Sequence, residues 1–160
     1  MKKIMLLSVA CLVAGLAGAQ KLKASDVPAA VTEAFAKNFP KAKEVKWSKE
    51  GTSEFEAEFE IAELEQAANF DKAGKLLETE TEIKKSELPQ AVQAAIAKEF
   101  AGFTLDEPEK VEIPGKALLY EMELKKDKVK YEVQFSADGK VVKKEEMKAK
   151  AKKKEKEGKD

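Results

Sequence analysis

The chain has 160 residues, with 30 basic and 30 acidic residues in balance. It contains no histidine, and every basic residue is a lysine. The usual general base and the usual bidentate ligand of phosphate are therefore both absent from the sequence.

The first 19 residues have the pattern of a secretory signal peptide. Two lysines precede a short apolar run, and Ala-Gly-Ala stands before Gln20. The run is shorter than the roughly 20 apolar residues of a membrane span. Cleavage after Ala19 would also remove the single cysteine, Cys11, which excludes disulfides, zinc thiolates and a thiol nucleophile from the remaining chain.

Cys11 leaves one alternative open, a lipid-anchored protein. Lipoprotein sites normally have an aliphatic residue three positions before the cysteine, where this chain has Ser8. We therefore expect a released protein that is periplasmic or secreted.

The first predicted element is a helix over VPAAVTEAFAKNF, residues 27–39. Its apolar residues recur at intervals of three and four, which predicts one apolar stripe. Pro28 suits the first helical position, with Ser25 or Asp26 as the cap, and Pro40 ends the helix.

A short strand around Val45 and Trp47 follows. A spacing of two places both side chains on one strand face. Trp47 is either an exposed anchor for a partner or a core residue beneath the helix, and we predict the core position.

The next strand alternates strictly. Phe55, Ala57, Phe59 and Ile61 face one way, and Glu54, Glu56, Glu58 and Glu60 face the other. The acidic row could supply paired carboxylates for acid and base chemistry, or oxygen ligands for calcium. The expectation we favour is a solvated strand face.

The phrase FDKAGKL, residues 70–76, predicts a hairpin turn. Gly74 would take a positive φ, which costs glycine little, and Asp71 is a residue that favours turns.

The chain then repeats itself. LPQAVQAAIAKEF, residues 88–100, aligns with the first helix at an offset of 61, with Ser86 as a cap and Gly102 as the end. YEMEL at 120–124 aligns with FEAEF, and FSADGKV at 135–141 with the turn phrase, at an offset of 65. We therefore expect an insertion of about four residues near 104–108, a positive φ at Gly139, and Val111 with Ile113 in the role of Val45 and Trp47.

These elements predict an α+β fold. Two tandem repeats of one helix and up to four antiparallel strands would form a long antiparallel sheet with two helices on one face. The predicted boundaries are a signal peptide at 1–19, a first repeat at 20–84, a second repeat at 85–146 and a charged, mobile tail at 147–160. The Lys-rich tail could contact nucleic acid or an anionic membrane, but acidic residues interrupt it and we expect no nucleic-acid partner.

The repeated pattern resembles a known family. A VPxAV or LPxAV helix, a V-x-W strand and hairpins ending in F-x-x-x-G-K are similar to the periplasmic PepSY-like, β-lactamase-inhibitor-like family over nearly all of residues 26–145. The resemblance implies helices packed on an antiparallel sheet whose open face grips an enzyme, and a distant tie to domains that restrain peptidases. Because the chain has no arginine and no disulfides, the resemblance does not extend to inhibition of a β-lactamase.

The functional expectation is a non-enzymatic binding module that engages an envelope protein or a peptide. We expect no catalytic residue, cofactor or metal ion, although carboxylate-only catalysis is chemically open. The alternative is a structural or stress-related envelope protein, or a calcium-responsive one. The predicted partner-binding residues lie on the outward sheet face: Glu56, Glu58, Glu121, Glu123, Lys130 and Glu132.

Overall fold

The computed structural model describes residues 20–147 as two helices on one continuous antiparallel sheet. The predicted signal peptide, Cys11 and residues 148–160 of the predicted tail lie outside the described residues. No helix within 20–147 is long and apolar enough to cross a membrane.

The sheet has nine strands, and each pairs with its neighbour in the sequence. The strands are β1 (Gln20–Leu22), β2 (Lys43–Glu50), β3 (Glu54–Ile61), β4 (Leu64–Asp71), β5 (Leu76–Glu82), β6 (Thr104–Glu112), β7 (Leu119–Lys126), β8 (Val129–Ser136) and β9 (Val141–Glu146). The helices are α1 (Ala29–Asn38), between β1 and β2, and α2 (Gln90–Glu99), between β5 and β6. The predicted α+β architecture is confirmed.

Each helix covers its own hydrophobic core. The first core centres on Phe35 of α1, whose ring lies 5.2 Å from that of Trp47 and 5.1 Å from that of Phe59. The second core packs Val92 of α2 against Leu124 and Phe135. Trp47 is therefore a core residue, as predicted.

Gly74 and Gly139 have φ angles of 82° and 83°. The predicted left-handed conformation is confirmed at both hairpin turns. Asp71 stabilises the first turn through its carboxylate, which accepts hydrogen bonds from the backbone N–H groups of Ala73 and Lys75.

The helix starts differ from the prediction. Pro28 and Pro89 have extended ψ angles near 140° and precede the first helical residue, so they are the capping residues themselves. Ser25, Asp26 and Ser86 lie in short 3₁₀ turns, and none of them caps a helix by its side chain. A proline fixes only φ, and its ψ was free to remain extended.

The short strands differ from the prediction in two respects. Val45 is 37 % exposed and is not part of the first core, and a bulge between Lys43 and Lys46, where Glu44 has a φ of 52°, interrupts the register of β2. Val111 is buried, but it pairs with Glu80 and therefore lies on the face opposite the helices. Ile113 follows the end of β6.

The extra residues of the second unit also lie elsewhere than predicted. The β2–β3 turn comprises residues 51–53, whereas the β6–β7 loop comprises residues 113–118. Most of the insertion is therefore in this loop, with a bulge between Asp106 and Glu109 in β6.

Candidate binding face

The candidate site lies on the sheet face opposite the helices, which we call the open face. Cross-strand partners point to the same side of a sheet. The register pairs Glu56 with Asn69, Glu109 with Glu121, and Glu123 with Glu132. Alternation along the strands thus gathers carboxylates from β3 and from β6 to β8 on one surface.

The six predicted residues all lie on this face but do not form one cluster. Glu121, Glu123, Lys130 and Glu132 are neighbours on β7 and β8. Glu56 and Glu58 lie on β3, four strands away from β7. Their role in partner binding stays a prediction.

Four of the six residues are buried, and for Glu56 the expectation of a solvated strand face is wrong. Glu56 is 1 % exposed, and Glu121, Glu123 and Glu132 are buried as well. Strands about 4.8 Å apart crowd their long side chains together, so that carboxylates cover one another even where no helix lies above them. Alternation in a sequence indicates the side of a residue and not its exposure.

Burial changes the acid–base properties of these groups. Loss of solvation, reinforced by neighbouring carboxylates, raises the pKa of Glu109 to about 8 and that of Glu132 to about 8. Burial also raises the pKa of Glu121 to about 7, although Gln134 donates a 2.6 Å hydrogen bond to its Oε2. The pKa of Glu80 is raised well above its ordinary value for the same reasons.

The open face contains two groups of three acidic residues whose carboxylate oxygens approach within 4.8 Å of one another. The lysine-paired triad is Asp106, Glu107 and Glu123. The Nζ of Lys125 lies 2.8 Å from Asp106 Oδ2 and 2.9 Å from Glu123 Oε2, and Lys130 also pairs with Glu123.

The second group, the central triad, is Glu80 on β5, Glu109 on β6 and Glu121 on β7. The four charges that act most strongly on Glu80 are all carboxylates, and the same holds for Glu109. Glu80 Oε1 is buried and has no hydrogen-bond partner. Sequence reasoning missed Glu80 and Glu109, although the alternation of LLETETE in β5 could have indicated Glu80.

A cleft of about 760 Å³ opens at one end of this face. Its lining is apolar in part, with Leu77, Leu119 and Val142. Asn69 and Glu78 also line the cleft. Asn69 Oδ1 and Glu78 Oε1 are both buried and have no hydrogen-bond partner. The cleft can therefore take an apolar group that is flanked by hydrogen-bond donors.

A smaller cleft of about 530 Å³ is lined by Phe39, next to the end of α1, and by Thr79 and Thr81 of β5. It shares Ile113, Pro114 and Lys116 of the β6–β7 loop with the larger cleft. The extra residues of the second unit thus contribute to both clefts.

Comparison with known proteins agrees with this architecture. The family model described as "Putative beta-lactamase-inhibitor-like, PepSY-like" matches residues 17–77 and 53–143. The chain belongs to this PepSY-like family. The two overlapping matches correspond to the tandem repeat seen in the sequence and in the sheet.

Three solved structures from Bacteroides are similar to this PepSY-like protein. A DUF2874 family protein from Bacteroides uniformis is 24 % identical with a TM-score of 0.68, over 74 % of this chain and 88 % of that one. A "putative periplasmic" protein from Bacteroides eggerthii is 22 % identical with a TM-score of 0.69, over 75 % and 88 %. A BLIP-like protein from Bacteroides fragilis is 22 % identical with a TM-score of 0.65, over 78 % and 90 %. At these identities the likeness establishes the fold alone, and no curated protein is similar to the chain.

Proposed function

We propose that this PepSY-like protein is a periplasmic or secreted, non-enzymatic module that binds a segment of another envelope protein or a peptide. The larger cleft of the open face carries the proposal. Its apolar wall would take an apolar side chain, while the buried oxygens of Asn69 and Glu78 would accept hydrogen bonds from the bound segment. If the bound segment carries a lysine or an arginine beside its apolar residue, that side chain would donate hydrogen bonds to both oxygens, and charged donors form strong hydrogen bonds.

The location is supported by the signal-peptide pattern and by the description of the Bacteroides eggerthii relative. The non-enzymatic assignment is supported by the absence of histidine from the sequence, and of cysteine from residues 20–160. The acidic character of the open face would favour a basic partner over an acidic one.

The test is site-specific photocrosslinking in cells. A photoreactive amino acid replaces Val142, which is 55 % exposed and lines the cleft. The matched control replaces Val129, which is 37 % exposed and shares the helix-covered face with Tyr131. We expect one dominant crosslinked partner from position 142 and none from position 129.

Charge reversal at the cleft sharpens the test. Glu78→Lys should abolish the crosslink at position 142, since it replaces an acceptor with a competing cation. Identical adducts from both positions, no adduct at position 142, or an adduct insensitive to Glu78→Lys would contradict the proposal.

A further inference from the structure

We propose that the central triad of Glu80, Glu109 and Glu121 binds one calcium ion on the open face. This proposal goes beyond the proposed function and does not depend on a polypeptide partner. It assigns a ligand to three residues that belong to three different strands.

The spacing of the triad fits a single ion. One carboxylate oxygen from each residue lies within 4.8 Å of the other two. Calcium binds oxygen at 2.3–2.6 Å, so two ligands on opposite sides of the ion are separated by about 4.8 Å. All three oxygens can therefore touch one ion with little movement of the strands.

The buried oxygen of Glu80 gives an independent indication of a ligand. Glu80 is 2 % exposed, and its Oε1 has no hydrogen-bond partner. A buried carboxylate without a donor or a cation is costly, so such a group either keeps a proton, which is what the raised pKa of Glu80 describes, or binds a cation. A bound cation would supply the missing interaction.

The lysine-paired triad provides an internal comparison. It has the same number of acidic residues at the same spacing, but Lys125 and Lys130 neutralise it. In the central triad, the charges that act most strongly on Glu80 are the carboxylates of Glu109 and Glu121, followed by those of Glu78 and Glu56. Lys143 is among the charges that act on Glu121, whereas the strongest charges on Glu80 and Glu109 are all carboxylates. The central triad therefore gains more from an external cation than the lysine-paired triad.

The chemistry of the donors favours calcium over other metals. The sequence has no histidine, and the triad offers only carboxylate oxygens, which suit hard cations. Three carboxylates can supply up to six oxygens if each binds through both, and water can complete the shell that calcium accepts. Magnesium needs a stricter octahedral arrangement and sheds its water reluctantly, so we expect it to bind more weakly.

The test is calorimetric titration of the exported protein, freed of metal by a chelating resin, with calcium chloride. We expect one saturable site with a Kd of about 10⁻⁴ to 10⁻³ M, the range of extracellular modules. Glu80→Gln should weaken binding at least about tenfold, because it removes one of three charged ligands. Calcium should raise the melting temperature of the original protein and leave that of the variant unchanged.

Glu123→Gln is the matched control, since it removes one carboxylate of the lysine-paired triad from the same face. It should leave calcium binding within about threefold. Glu109→Gln serves as a second ligand variant, because Glu109 is only half-buried and the substitution perturbs the fold least. Circular dichroism checks that each variant is folded.

Three outcomes would overturn the proposal. The first is no saturable calcium binding up to about 10 mM, well above the expected Kd. The second is binding that both ligand variants retain, or that Glu123→Gln removes equally. The third is tighter binding of magnesium than of calcium, which would exclude calcium as the preferred ion.

Discussion

At the scale of the residue, Gly74 and Gly139 show how a turn and a helix constrain one another. A Cβ atom at Gly74 would lie 2.3 Å from the backbone oxygen of Ala30 in α1, and one at Gly139 would lie 2.4 Å from that of Ala91 in α2. Each hairpin turn thus packs directly on the backbone of its own helix. Glycine is required there by close approach as well as by φ.

We expect Gly74→Ala to destabilise the protein by about 2–5 kcal/mol, from left-handed strain of about 1–2 kcal/mol and a backbone clash of about 1–3 kcal/mol. The control is Gly115→Ala, where φ is 78° but nothing lies within 4 Å of the added atom. The control should show the strain alone, about 1–2 kcal/mol. Urea unfolding of both variants measures the difference, and equal losses would show that the contact with α1 is unimportant.

At the scale of the element, β7 and β8 place acidic residues on a face that burial has partly desolvated. Glu132 is 4 % exposed, with Glu121, Glu123 and Glu145 near it and Lys143 as its opposing charge, 3.8 Å away. Its folded pKa of about 8 lies above the ordinary value of 4.5. The folded protein therefore holds a proton that the unfolded chain has already lost at neutral pH.

The sign of the pH dependence follows from this difference. Below pH 4.5 both states are protonated at Glu132, and the full stability is present. As the pH rises from 4.5 to about 8, the unfolded state is increasingly favoured, so the free energy of unfolding falls. Glu132→Gln should flatten this fall by up to about 1.4 kcal/mol per pH unit.

The measurement is urea unfolding between pH 5 and about 8.5 in the presence of a chelator, which keeps metal binding out of the comparison. Glu99→Gln, an exposed position at the end of α2, is the control and should leave the slope nearly unchanged. A variant slope equal to that of the original protein would show that Glu132 ionises normally in the folded state.

At the scale of the whole molecule, β5 connects the two units. It pairs with β4 of the first unit and with β6 of the second, so a single sheet spans both hydrophobic cores. Units of about 60 residues are marginally stable alone, because they bury a small fraction of their surface. We therefore expect the two cores to unfold together.

The single tryptophan, Trp47, lies in the first core and reports on it. Leu124→Ala removes a fully buried side chain from the second core and should cost about 2–5 kcal/mol. We expect the fluorescence transition of Trp47 to shift by the same urea concentration as the circular dichroism transition. The control is Leu64→Ala, at a 45 % exposed position in the first unit, which should shift neither transition. If Leu124→Ala left the Trp47 transition unchanged, the two units would unfold independently.

Much of this fold could be predicted because its determinants are local. The intervals of three and four in α1 and α2 fix the helices, the alternation from Phe55 to Ile61 fixes β3, and the glycine at position 74 fixes a turn. The recurrence of these patterns at offsets of 61 and 65 predicts the duplication. Bulges could not be predicted, since the left-handed residues Glu44 and Glu107 depend on pairing with the partner strand and leave no mark in the local pattern.

The sequence by itself determined the α+β class, the tandem units, the turns at Gly74 and Gly139, and the side of the sheet on which the glutamates of β3, β7 and β8 lie. These features depend on backbone preferences and on the period of apolar residues, which neighbours in the chain decide. Only the tertiary structure decided that Glu80, Glu109 and Glu121 meet, and that the strongest charges on Glu80 and Glu109 are carboxylates. Their positions on three strands, 12 to 41 residues apart in the chain, become adjacent through sheet register, and their burial depends on how closely the strands crowd the open face.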